Sequence, residues 1–227
     1  MHTLSHCPFC GNPLESAEDG TCLVCGSDRR TRSIAPLVDD VLLPRKAALD
    51  ALGRPLLGFA MTKNERILLE PVFPEITSVS LYGDYGHGHV LGVDARDLGR
   101  FHGGEFSGYF ACLLFDYFTE HEAALEEAFR VLAPGGVFLT AISGDRLTST
   151  LDPPTETKKI AGRPDYFSYL PSDVTLSDIK VGREWFLETM RRVGFSAELR
   201  QVREAGASDA TDWFVGLKPP EHRTEPW

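Results

Sequence analysis

Ala124 to Ile142 reads ALEEAFRVLAPGGVFLTAI, an amphipathic helix that breaks and runs straight into an apolar strand. Leu125, Phe129 and Leu132 fall at i, i+4 and i+7 and share one face. Acidic residues such as Glu120 and Glu122 crowd the first turns and Arg130 lies near the end, as the helix dipole favours. Pro134-Gly135-Gly136 is expected to stop the helix and deliver the chain into GVFLTAI (136–142).

The same alternation of apolar runs and helical patterns extends in both directions. Candidate strands are PLLGFA (55–60), SVSLYG (78–83), HVLGVD (89–94) and YFACLLF (109–115) upstream, with AELRQV (197–202) and DWFVGLK (212–218) downstream. GREWFLETMRRVG forms a second helix, with Phe186, Met190 and Val193 on one face and Gly194 at its end. Alternation of this kind predicts a parallel sheet with helices on its faces. Before it, Pro44 divides SIAPLVDDVLLPRKAALDALG into two short helices, the second ending at Gly53.

The chain has 227 residues, 42% of them hydrophobic, enough to form a core without disulfides. Net charge is −10, from 33 acidic and 23 basic residues, which points away from a partner such as duplex nucleic acid that rewards a basic face. Arg29, Arg30 and Arg32 form the only basic cluster, and a solvated or acid-paired patch is its ordinary reading. No apolar run approaches a membrane span, and the N-terminus lacks the pattern of a secretory signal, so a cytoplasmic protein with no membrane partner is expected.

Cys7, Cys10, Cys22 and Cys25 stand in CPFCG and CLVCG. Two such knuckles present four thiolates for a closed tetrahedral site, which suits a structural zinc ion, with iron as the minority metal. A segment this short would draw much of its folding energy from the metal. His6 is a bystander beside the full set, and Cys112 is expected as a core thiol.

The opening stretch resembles class I S-adenosylmethionine-dependent methyltransferases, in which an "RVLKPGG" turn joins the fourth helix to the fifth strand. GVDARDLGRF (92–101) is similar to the acidic loop after the family's third strand, EFSGYFACLLFDYFTEH (105–121) to its "FDLVxxxxVLEH" segment, and AELRQV with DWFVGLK to its terminal antiparallel pair. The resemblance covers roughly Arg54 to Pro219. With the cysteine knuckle and the GSxxRxR that follows, it looks like a subgroup lacking the GxGxG loop. It implies an α/β, Rossmann-like, doubly wound and mostly parallel seven-stranded sheet with a small N-terminal zinc-ribbon-like module. The expected organisation is a zinc module over 1–32, a helical linker over 33–53, and a methyltransferase-like domain over 54–219. A lid or substrate-recognition insert spans 148–183, and 220–227 form a tail.

The resemblance also implies a cofactor site. Gly58-Phe59-Ala60 would form its first turn, with Lys63 near the methionine carboxylate, Asp84 at the ribose, Asp94 and Ala95 at the adenine, and Phe115 close by. Only ten residues separate Asp84 from Asp94, so the helix usual between these strands is expected to be missing. At the acceptor end, His121 is the first choice of general base, with Asp116 and Tyr117 beside it. Asp145, Arg146, Arg163, Asp165 and Tyr166 are candidate acceptor contacts. The reading these residues support is methyl transfer to an O or N atom of a small molecule, in secondary metabolism. An RNA methyltransferase docking through its zinc module and a non-catalytic protein with a degenerate cofactor site are the alternatives, and an oligomer is compatible with each.

Overall fold

The computed structural model describes residues 1–14, 20–83, 88–160 and 176–220. A strand β1 (His2–Leu4) opens the chain, the two cysteine knuckles follow, and α1 (Arg29–Arg32) leads out of them. α2 (Ala35–Leu37) continues through a π turn (Val38–Leu42) and a 3-10 turn (Leu43–Arg45) into α3 (Lys46–Leu52). Pro44 has no N–H to give an α ladder, so the helical path changes pitch here instead of breaking into two helices. Gly53, at φ 59°, ends it in the left-handed conformation that glycine adopts most cheaply.

The main domain then runs β2 (Leu56–Phe59), α4 (Lys63–Leu69), β3 (Ile76–Ser80), β4 (Val90–Leu91), β5 (Phe106–Cys112), α5 (His121–Val131) and β6 (Leu132–Ile142). After it come β7 (Leu147–Thr148), β8 (Thr155–Ile160), β9 (Leu176–Gly182), α6 (Arg183–Val193), β10 (Ser196–Glu204) and β11 (Ala210–Leu217). The large sheet has the order β1-β10-β11-β6-β5-β2-β3-β4, with β11 antiparallel to both its neighbours and every other pair parallel. Seven of these strands are the expected sheet. The eighth is β1, which pairs with the end of β10 in the register His2↔Val202 to Leu4↔Glu204 and covers that edge.

Pro134-Gly135-Gly136 does not end α5. The helix stops at Val131, Leu132 is already extended, and the Pro-Gly-Gly triplet lies inside β6. Lys218, from the end of β11, supplies the cap instead: its Nζ donates to the carbonyls of Phe129 and Leu132, both at 2.7 Å. Within 148–183, strands β7, β9 and β8 form a separate three-stranded sheet with β9 in the middle.

Two apolar layers sandwich the large sheet. On one face α5 and α6 bury Leu125, Ala128, Phe186 and Met190 against Tyr109, Phe138 and Phe214. On the other, the helical stretch after α1 buries Ile34, Leu37, Val41 and Leu42 against Phe110, Leu139 and Trp213, whose Nε1 donates to Ser33 Oγ at 2.8 Å. The front of the chain therefore forms one wall of the core.

A buried ion pair fixes that front end. Arg32 has no exposed surface, and its guanidinium meets Glu204 with Nε at 2.7 Å from Oε1 and Nη2 at 2.8 Å from Oε2. Nη2 also donates to the Gly20 carbonyl at 2.8 Å and Nη1 to the Ser27 carbonyl. Removing one partner strands the other in the core, so Arg32→Met or Glu204→Gln is expected to destabilise by about 3–5 kcal/mol. Lys46→Met, which breaks the exposed Lys46–Asp50 pair, should cost roughly 0.5 kcal/mol or less. Urea denaturation of the three variants measures the contrast.

Candidate functional site

The chain builds β2, β3 and β4 outward in one direction, then returns to place β5 on the other side of β2. In open α/β sheets, ligands bind where the strand order reverses, beyond the carboxyl ends of the strands. Those ends are Phe59 and Cys112. Each is followed by a residue that extends the ladder and then turns into the left-handed region: Ala60 N donates to Val79 O and Leu113 N to Ala141 O, with φ of 47° and 59°. Among the described residues these are the only non-glycine residues with positive φ, each costing about 1–2 kcal/mol. Strain placed twice at the switch point marks it as the functional end of the sheet.

The turn after β2 differs from the expected glycine turn. The left-handed residue is Ala60, and the space where a Cβ of Gly58 would lie is filled by the Sδ of Met61, a buried side chain. Gly58 makes room for Met61. The first turn of α4 is closed by a capping box, in which Thr62 Oγ1 accepts from Glu65 N at 3.3 Å and Glu65 Oε2 accepts from Thr62 N at 2.7 Å. Phe59 is buried against Tyr109, and Lys63 is exposed.

The arginines after the second knuckle are each committed to acids. Arg29 Nε lies 3.7 Å from Glu204 Oε2, Arg32 is buried as described, and Arg30 projects toward α4. Arg30 Nη2 is 4.0 Å from Glu65 Oε1 and its Nε 3.9 Å from Asp28 Oδ1, both beyond hydrogen-bond length, and the buried Nε has no hydrogen-bond partner. Burial opposes its charge, but the ionisable groups of Cys112, Glu65, Asp28 and Tyr117 outweigh it and raise the Arg30 pKa. Cys112, expected in the core, is half-buried and lies near this guanidinium. The three arginines do not form a basic face.

Asp94 follows β4. Its carboxylate accepts from Arg96, from Nη2 at 2.7 Å, Nε at 3.0 Å and the backbone N–H at 2.9 Å, and this pairing lowers its pKa. Arg96 also reaches Glu120 at 3.2 Å and lies over Phe118, 5.5 Å from the ring centre. Ala95 is buried. Phe115 points into the core, against Phe118, Phe138 and Phe186, so it offers a ligand no side-chain surface. Asp84 lies outside the described residues, and no helix occurs in the described part of the link from β3 to β4.

At the ends of β5 and β6, Asp116 accepts from Ser143 Oγ at 2.5 Å and from Ser143 N at 3.1 Å. Burial raises its pKa to about 6 against the pull of Ser143 and Arg146. Arg146 lies over the Tyr117 ring at 5.7 Å and pairs with Asp178 of β9, which ties the small sheet to this end of the domain. Asp145 contributes its carbonyl to Lys180 in the same junction. His121 is not placed as a base. It is wholly buried among Phe115, Phe118, Trp185 and Phe186, and its Nε2 donates to Phe115 O at 2.7 Å. Burial lowers its pKa to about 4, so the ring is a neutral packing element. Arg163, Asp165 and Tyr166 lie outside the described residues.

A family model for a methyltransferase domain matches residues 78–140. A chain from the complex of the Haloferax volcanii Trm112 methyltransferase activator with a methyltransferase is 14% identical, covering 84% of this chain and 95% of that one, with a TM-score of 0.51. An S-adenosylmethionine-dependent methyltransferase from Mesorhizobium loti is also 14% identical, over 79% of this chain and 99% of that one, at 0.51. Streptomyces venezuelae DesVI is 17% identical over 82% and 90%, at 0.50. The chain has the fold of the class I S-adenosylmethionine-dependent methyltransferases. No curated protein matches its sequence.

To this fold the front end adds a cysteine cluster. The two knuckles repeat each other: Gly11 N donates to Cys7 O and Gly26 N to Cys22 O, both at 2.8 Å, and the glycines sit at φ 70° and 71°. All four Sγ atoms lie within 4.8 Å of one another, with Cys7–Cys25 at 3.6 Å and Cys10–Cys22 at 3.9 Å. Four thiolates around one zinc at ~2.3 Å stand about 3.8 Å apart, so the cluster fits a zinc knuckle. Burial would raise the Cys7 pKa, but the Ser27 hydroxyl and the backbone near Cys10 and Phe9 bring it down to about 6, toward the thiolate a metal needs. His6 is exposed, and its Nδ1 lies 3.0 Å from Ser5 Oγ.

If Gly58 exists to seat Met61, Gly58→Ala should destabilise by about 1–3 kcal/mol, as overpacking does. Met61→Ala should destabilise in its own right, and the double variant should lose clearly less than the sum of the two. Denaturant midpoints of the three proteins test this.

Proposed function

We propose that this chain transfers a methyl group from S-adenosylmethionine to an O or N atom of a small molecule, in secondary metabolism. The observation that carries the reading is the pair of strained turns, Ala60 and Leu113, at the switch point of a methyltransferase sheet. The Arg30 guanidinium, its Nη2 4.0 Å from the buried carboxylate of Glu65 and its Nε without a hydrogen-bond partner, fits a ligand with a zwitterionic end. When bound, the cofactor supplies an electrophilic methyl group on a sulfonium. The chain's own task is then to hold the acceptor in line and to accept a proton where the acceptor must lose one.

The Asp116–Ser143 pair is suited to that second task. Asp116 is buried with a raised pKa, and Ser143, half-buried, stands between it and the outside. A proton leaving the acceptor passes through the Ser143 hydroxyl to Asp116 Oδ2. Tyr117, with Arg146 over its ring, and the sheet carrying Asp178 would flank the acceptor, with 148–183 as its cover. The proposed division remains 1–32, 33–53 and 54–219. The acid-paired arginines and the net charge of −10 favour a small acceptor over RNA. Among the described residues, no helix is long and apolar enough to cross a membrane.

We also propose that the four cysteines hold one structural zinc ion. Elemental analysis should find one zinc per chain, and Cys7→Ser should lose it together with several degrees of melting temperature. Iron in the same measurement would replace zinc in this reading. Calorimetric titration of the zinc-loaded protein with S-adenosylmethionine and S-adenosylhomocysteine tests the cofactor site. Micromolar binding weakened at least tenfold by Asp94→Ala is the expected result, and no heat at millimolar ligand would overturn the reading.

A further inference from the structure

We propose that Arg30 and Glu65 together grip the amino-acid end of the cofactor, so that a side chain from the metal-binding front end does what a glycine-rich loop would otherwise do. The inference rests on the cofactor reading above and names the residues that would make it work.

Backbone donors are in short supply at this turn. Thr62 N and Glu65 N, at the start of α4, are spent on the capping box, and the space beside Gly58 is filled by Met61. Lys63 N and Asn64 N are the donors left in this turn, and a side chain adds to what they offer a ligand carboxylate. Lys63 is exposed, whereas Arg30 reaches the same place from α1. The Arg30 side chain is 35% exposed, so a ligand can reach it, yet its Nε is shielded and unbonded. Its two acids stand at 3.9 and 4.0 Å, near enough to attract and too far to bond. A guanidinium held in this way keeps its two terminal nitrogens available for a carboxylate.

Glu65 completes the match. Its Oε2 is used by Thr62 N, while Oε1 faces the Arg30 guanidinium. The Glu65 side chain is only 3% exposed, so the carboxylate of an α-amino acid zwitterion goes to Arg30, and its ammonium reaches Glu65 once Arg30 has turned toward the ligand. The neighbouring arginine shows that the arrangement is specific. Two residues further on, Arg32 has direct bonds to Glu204, Gly20 and Ser27. Both arginines belong to one short segment that begins at Ser27, whose hydroxyl lies 3.4 Å from Cys7 Sγ and 3.1 Å from Cys25 Sγ.

The experiment compares two ligands by calorimetry on the zinc-loaded chain: S-adenosylhomocysteine, which carries the amino-acid end, and 5′-methylthioadenosine, which lacks it. Arg30→Met should weaken S-adenosylhomocysteine by roughly 10- to 100-fold, the worth of a charged hydrogen-bonded contact, and leave methylthioadenosine within about twofold. Glu65→Gln, which preserves the capping box, should move the same ligand in the same direction. Should Arg30→Met fail to fold, Arg30→Lys carries the comparison, since it keeps the charge and loses the fork. Equal losses for both ligands, or none for either, would overturn the clamp while leaving the cofactor site intact. Failure of both ligands to bind the wild-type protein at millimolar concentration would remove the cofactor reading and the clamp with it.

Discussion

Five N–H donors on one wholly buried side chain join the two halves of this molecule. Arg32 turns its fork onto Glu204 and meets the carbonyls of Ser27 and Gly20. A charge this deep is tolerable only when its partner and its remaining hydrogens are all accounted for, and here they are. Because the partner lies at the end of β10 and the carbonyls lie in the knuckle, the contact fixes where the cysteine cluster sits on the sheet. It thereby sets the course of α1 and the direction in which Arg30 leaves it.

The switch point shows a division of labour that follows from backbone chemistry. A glycine-rich turn solves two problems together, close approach to a ligand and relief of left-handed strain. In this chain the problems are separated. Ala60 and Leu113 carry the strain, Gly58 is given to core packing, and the capping box consumes donors that an open turn would have offered. Side-chain charge is then left a larger share in meeting a polar ligand. The ends of β5 and β6 follow a comparable logic, since the Asp116 carboxyl, its pKa raised to about 6 by burial, is steadied by one serine and held near Arg146.

The parts of the structure legible in the sequence were those encoded locally. Each candidate strand corresponds to an observed one, and the central parallel strands β2, β5 and β6, buried on both faces, write themselves as short apolar runs. The helices α5 and α6 followed from their periodicity, and the knuckles from CPFCG and CLVCG, whose glycines take the left-handed turn behind each second sulfur. What stayed hidden depends on residues far apart in the chain. HTL at 2–4 has nothing to mark it as a strand until β10 offers an edge. His121 reads equally as a base or a packed ring, and only Trp185 and Phe186, from another helix, decide for packing. Pro134-Gly135-Gly136 looked like a helix stop because the cap comes from Lys218. The roles of Arg30 and Arg32 could not be told apart by composition, since both sit in the same short basic run.

The β1–β10 pairing has a consequence for how the chain is made. Leu4 stands opposite Glu204, and Arg32 reaches a carboxylate 172 residues ahead of it in sequence. The cysteines leave the ribosome long before the edge they cover has been synthesised. Until β10 and β11 exist, the helices after α1 have no Trp213 to pack on, and Arg32 has no counter-charge. Closing contacts of such separation is slow, and the unfinished sheet exposes an apolar face meanwhile. A chain stalled before β10 would therefore be an aggregation-prone species, and its handling by chaperones is part of the cost of joining such distant segments in one sheet.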